Sequence, residues 1–109
     1  MAVVHAKPSE AISVAPLGSA LSEARTTALV KTESLEVLRL VVRAGKEIAS
    51  HRTRGEVTIQ CLEGEVGIVV NGITEILSAG QLLYLRKNEL HAVRGIRDAS
   101  LLVTILLTQ

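Results

Sequence analysis

From Thr27 onward, apolar and polar residues alternate in short runs broken by turn-forming residues. In Leu35 to Val42, Leu38, Leu40 and Val42 share one face with Glu36. Leu35, Val37, Arg39 and Val41 lie on the other, and Ala44-Gly45 ends the run. A period of two with many β-branched residues predicts a strand. Glu56 to Leu62 repeats the pattern, with Val57, Ile59 and Cys61 on one face and Thr58 and Gln60 on the other. Glu63-Gly64-Glu65 reads as a turn, followed by an apolar run over Val66 to Val70. Asn71-Gly72 then predicts a type I′ hairpin, because both central positions of that turn require φ > 0. Ile73 to Leu77 returns, Ser78-Ala79-Gly80 turns again, and Gln81 to Leu85 is apolar. After the polar loop Arg86 to Glu89, Leu90 to Val93 and Leu101 to Leu107 complete the set.

Short strands with turn signals about every 8–12 residues predict an all-β antiparallel sandwich or barrel. No sustained 3.6-residue period follows residue 26. The first 26 residues are the least patterned, punctuated by Pro8, Pro16 and Gly18. They read as an N-terminal extended arm, with a short strand around Ile12 to Val14 and a helical turn over Ala20 to Ala24. Residues 27–109 then form one barrel domain. The last run is apolar on both faces. Such a strand invites aggregation at an open edge, so it is either central in a sheet or covered by a second subunit, and a homodimer is expected.

Composition narrows what such a barrel does. The chain has 109 residues, 48% of them apolar, and Tyr84 is the only aromatic. The core is therefore aliphatic, and neither a base-stacking platform nor an aromatic cage can be built. Twelve basic against eleven acidic residues give a net charge of +1, which steers no polyanion toward the surface, so no nucleic-acid partner is expected. Arg43, Lys46, Arg52 and Arg54 form a loose basic run interrupted by Glu47 and Glu56, read as a solvated loop. Cys61 is the only cysteine, which excludes an intrachain disulfide. No stretch approaches the roughly 20 apolar residues of a membrane helix, and Met1 to Glu10 shows no signal-peptide pattern. These features predict a cytoplasmic protein with no membrane partner.

The candidate chemistry lies in the histidines. His5 falls in the arm, while His51 and His91 each follow a turn-rich loop and are expected to open a strand. Neutral imidazoles from two strands can share a transition metal. Gly45 to Gly64 reads G-K-E-I-A-S-H-R-T-R-G-E-V-T-I-Q-C-L-E-G, and Gly80 to Gly95 reads G-Q-L-L-Y-L-R-K-N-E-L-H-A-V-R-G. The first segment resembles the first cupin motif, in which five residues separate a Gly from His-x-His and a Glu and a Gly follow. The second resembles the second cupin motif, a Gly, a Pro-x-Gly turn and a His. The resemblance spans about residues 35–107. It implies a small single-domain RmlC-like cupin, a double-stranded β-helix or jelly-roll barrel that is commonly dimeric.

Metal-binding cupins supply two His and a Glu from the first motif and a His from the second. Here His51 and His91 stand at the outer two positions, Thr53 replaces the second His, and Val57 replaces the Glu. Arg86 and Asn88 replace the Pro and Gly of the second motif. The resemblance thus implies a reduced site of His51 and His91 for a divalent metal (Zn, Fe, Ni or Mn), weak or absent. Two residues are candidates for a third ligand. Glu56 would qualify if a bulge at Gly55 re-aimed it, and Cys61 shares the parity of Val57. The predicted cavity lining is His51, Thr53, Val57, Ile59, Cys61, Tyr84, His91 and Val93. Three functions are compatible with it: binding of a small, mostly apolar molecule with metal optional; a metal-dependent oxygenase or isomerase with a reduced His set; or a structural dimeric barrel without ligand.

Overall fold

The computed structural model describes residues 5–107. A short 3-10 turn, Gly18–Glu23, precedes seven strands: β1 (Thr27–Lys31), β2 (Leu35–Val42), β3 (Glu47–His51), β4 (Val57–Val70), β5 (Ile73–Ser78), β6 (Leu82–Leu85) and β7 (His91–Leu106). Every pairing is antiparallel, and the main path runs β1-β2-β7-β4-β5.

Two long strands organise the barrel. β4 and β7 pair from Val57↔Ile105 to Val70↔His91, and each changes its second neighbour halfway. The first part of β4 pairs with β6 and the last part with β5. The first part of β7 pairs with β3 and the last part with β2. The result is two leaves that share bent central strands, the double-stranded β-helix expected from the sequence. Glu63-Gly64-Glu65, predicted as a turn, is instead the bend in β4. Its ladder to β7 shifts register between Cys61 and Val66. The shift reverses parity, so Val57, Ile59 and Cys61 point inward before it, and Val66 and Ile68 after it. The predicted strands at Leu90–Val93 and Leu101–Leu107 likewise belong to the single strand β7.

The apolar end of β7 lies between β2 and β4, so its backbone is paired on both sides within one chain. Leu101 and Val103 pack into the core, while Leu106 is exposed. The Asn71-Gly72 hairpin forms as predicted, with φ of 52° and 77° joining the pair Val70↔Ile73. The basic run from Arg43 to Arg54, read as a solvated loop, contains the edge strand β3, held by Glu47↔Arg94, Ile48↔Val93 and His51↔His91. The strand predicted at Ile12–Val14 is absent. Ile12 is exposed and no ladder reaches the segment. The helical turn predicted at Ala20–Ala24 overlaps the 3-10 turn, which ends at Glu23 with Ala24 already extended.

The segment before β1 is held by side chains of the barrel. Glu63 accepts hydrogen bonds from Leu17 N–H (2.8 Å), Gly18 N–H (3.0 Å) and the Ser100 hydroxyl (2.5 Å). Buried Arg39 donates to Ser100 Oγ at 3.3 Å. Arg43 donates to the carbonyls of Leu21 and Ala24. Burial pushes the Glu63 carboxyl up, but the donors from Leu17, Ser100 and Gly18, with the charge of Arg39, outweigh it and hold the carboxyl below its ordinary value of 4.5. A depressed carboxyl stabilises the fold above its unfolded value, and that contribution is lost as pH falls through the folded value. Glu63→Gln is therefore expected to cost about 1.5–3 kcal/mol at neutral pH, the scale of hydrogen bonds to a charged acceptor. Urea titrations of both proteins should converge as pH drops below 4.5. A gap that does not narrow in acid would contradict the role of the charge.

Candidate functional site

The site grows from the pairing of β3 with β7. His51, expected to open a strand, instead closes β3, while His91 opens β7 as expected, and the two are directly opposed in the ladder. Their rings consequently meet, with centroids 4.4 Å apart and planes tilted by 53°. Each Nδ1 lies against a backbone carbonyl two residues earlier, Ala49 O at 3.1 Å for His51 and Glu89 O at 3.0 Å for His91. A carbonyl can only accept, so both Nδ1 atoms carry the hydrogen and both Nε2 atoms are left to face outward from the backbone. His51 is exposed and His91 is buried. Burial pushes the His91 imidazole below its ordinary value, and the Glu89 carbonyl opposes this without cancelling it. His91 is therefore neutral in the folded protein near pH 7.

Beside the rings lies a cavity of about 170 Å³. β2 contributes Leu38 and Leu40, β3 contributes Ile48, and β4 contributes Val57 and Ile59. Val93, Val103 and Ile105 of β7 complete the aliphatic wall. His51, Thr53 and His91 are its polar side chains. Thr53 Oγ1 donates to Gly55 O at 3.0 Å.

Six of the eight residues predicted to line the cavity do so: His51, Thr53, Val57, Ile59, His91 and Val93. Two do not. Tyr84 is 54% exposed on the outer surface, where its hydroxyl donates to Glu56, and this bond raises the phenol's pKa. The parity of β6, set by Ile59↔Leu83 and Thr58↔Tyr84, turns Leu83 inward and Tyr84 out. Cys61 is fully buried in the core, short of the β4 bend, with its thiol donating toward the carbonyls of Glu63 (3.4 Å) and Gly64 (3.6 Å). Burial raises the thiol's pKa, so it stays protonated. Ile48 also lines the cavity, and the sequence does not reveal it because β3 has no alternating buried face. Leu38, Leu40, Val103 and Ile105 line it too, and the period-two face of β2 is the signal that points to Leu38 and Leu40.

The model of the cupin domain matches residues 38–106. The chain belongs to the cupin family. Among solved structures it is similar to a cupin superfamily protein from Desulfitobacterium hafniense, with TM-score 0.76 and 20% identity over 89% of this chain and 94% of that one. An RmlC-like cupin from Desulfovibrio desulfuricans gives TM-score 0.73 and 26% identity over 89% and 97%. Salicylate 1,2-dioxygenase from Pseudoaminobacter salicylatoxidans gives TM-score 0.68 and 21% identity, over 73% of this chain but 25% of that enzyme, a likeness of fold alone. No curated protein sequence matches the chain. Among the described residues no helix is long and apolar enough to cross a membrane.

Metal chemistry in this cupin is limited by its donor set. Carbonyl-anchored imidazoles with free Nε2 atoms are typical of metal-ligating histidines, and His51 and His91 meet that description. Among the described residues no third ligand joins them. Glu56, proposed from a bulge at Gly55, is bonded to Tyr84 on the outer face, and the Cys61 thiol is turned into the core. Among the described residues no three His, Cys, Asp or Glu side chains come together to hold an ion. Catalytic zinc sites retain three protein ligands. The residues present do not fit a transition-metal centre.

Proposed function

We propose that this cupin binds a compact, mostly apolar small molecule in its barrel. One observation carries the reading: a cavity of about 170 Å³ walled by aliphatic side chains, with the two imidazoles as its main polar groups. A dry aliphatic cavity of about 150 Å³ takes up benzene or xenon, so this one suits a molecule of that size. It is too small for a sugar nucleotide, since pockets for drug-sized ligands start near 300 Å³. The reduced metal enzyme receives less support, because Glu56 and Cys61 both point elsewhere. A purely structural barrel would have its interior filled by Leu and Val side chains.

Xenon uptake tests the proposal. Methyl-resolved NMR under xenon pressure should shift Ile59, Val93 and Val103 in the wild type. Ile48→Phe, placed on the edge strand β3 rather than on the central strands, should fill the cavity and abolish those shifts. Unshifted wild-type methyls would overturn the binding reading and leave the structural barrel.

A further inference from the structure

The hydrogen-bonding character of the cavity restricts its ligand further. Its polar side chains are His51, Thr53 and His91, and each has already committed a hydrogen to the protein. Nδ1–H of each imidazole points at a carbonyl, so a neutral ring offers Nε2 as an acceptor only. The Thr53 hydroxyl donates to Gly55 O, which leaves the lone pairs of its oxygen. Among the described residues neither Nε2 has a protein partner, while every fully buried side-chain nitrogen or oxygen does. His91 Nε2 is therefore not fully enclosed, and His51 is itself exposed. The cavity offers acceptors and no side-chain donor.

Charge gives an independent restriction. Arg52, Arg86 and Lys87 line a depression at the same end of the barrel, together with one acidic residue, Glu89, and with Asn71, Asn88 and Leu90. Residues 51–53 and 88–91 form the wall between that depression and the cavity, and are joined by Asn88 N–H to Thr53 O at 2.8 Å. Arg86 pairs with Glu89, whereas Arg52, Arg54 and Lys87 make no ion pair among the described residues. Charges act over a screening length of about 8 Å at physiological salt, so this rim disfavours a cationic donor such as an ammonium group.

We infer that the cavity selects a neutral apolar molecule bearing a hydroxyl, an alcohol or phenol. Its O–H donates to an imidazole Nε2 while its hydrocarbon part packs against Leu38, Ile59 and Val93. The inference rests on the small-molecule reading above and names the class of ligand. A ketone or ether of the same size would set an acceptor against acceptors and leave buried polar atoms unpaired.

NMR titration of the wild-type protein with cyclohexanol, cyclohexanone and cyclohexylammonium tests it, read at the amides of Ile59, His91 and Val93. Cyclohexanol should bind about tenfold more tightly than cyclohexanone, and cyclohexylammonium should not compete. Imidazole nitrogen shifts give a second readout that needs no variant. Nε2 of His91 should be unprotonated in the free protein and should move on adding cyclohexanol but not the ketone. Equal affinity for alcohol and ketone, or a bare Nδ1, overturns the inference and leaves the small-molecule reading standing. Absence of any cavity response to all three compounds overturns both.

Discussion

Gly64→Ala is expected to destabilise the protein by about 2–5 kcal/mol. Gly64 sits in the bend of β4 with φ of 82°, a conformation that costs an L-residue about 1–2 kcal/mol. A Cβ built there would lie 2.0 Å from Asp98 O and 2.7 Å from Ala99 Cα. Both are backbone atoms of β7, so relief requires moving the strand that pairs with β2 and β4 together. Overpacking of this kind adds about 1–3 kcal/mol. Gly72→Ala supplies the control. Its φ is 77°, but a Cβ there meets nothing within 4 Å, so only the conformational cost of about 1–2 kcal/mol applies. Urea unfolding at constant m-value measures both. Equal losses for the two variants would show that β4 and β7 are not in close contact at the bend.

Leu101→Ala is expected to cost about 3–4 kcal/mol, within the range for truncating a buried leucine. Leu101 is completely buried, opposite Leu40 of β2 and Cys61 of β4. Rigid ladders on both sides prevent the strands from collapsing onto the space left behind. Leu106→Ala, five residues on in the same strand and 41% exposed, should cost below about 1 kcal/mol, because little apolar area leaves water there on folding. The comparison is informative because Leu101–Leu107 gives no periodic clue to which leucines face inward. A similar loss at both positions would mean that the outer face of β7 is covered by another chain.

Much of the barrel was legible along the chain because alternation has the same period as the pleat. β2, the first part of β4 and the Asn71-Gly72 hairpin follow directly from side-chain parity and turn chemistry. The elements that were misread have specific causes. β3 is an edge strand with four of its five residues exposed, so it carries no buried face to alternate. The β4 bend resembles a turn because a glycine at positive φ is common to both, and only the continuation of the ladder to β7 distinguishes them.

The candidate site divides in the same way. The sequence by itself determined that the interior would be aliphatic, that two histidines would stand near strand ends, and that the four-ligand cupin set was broken at Thr53 and Val57. Tertiary structure decided the rest. The β3–β7 register brought His51 against His91, and the β6 register carried Tyr84 outward to Glu56. The β4 bend kept Cys61 in the core. Parity is a local property of one strand, whereas register is a relation between strands far apart in sequence. A shift of one residue in register exchanges the two faces, so a site built across strands is fixed only once they pair.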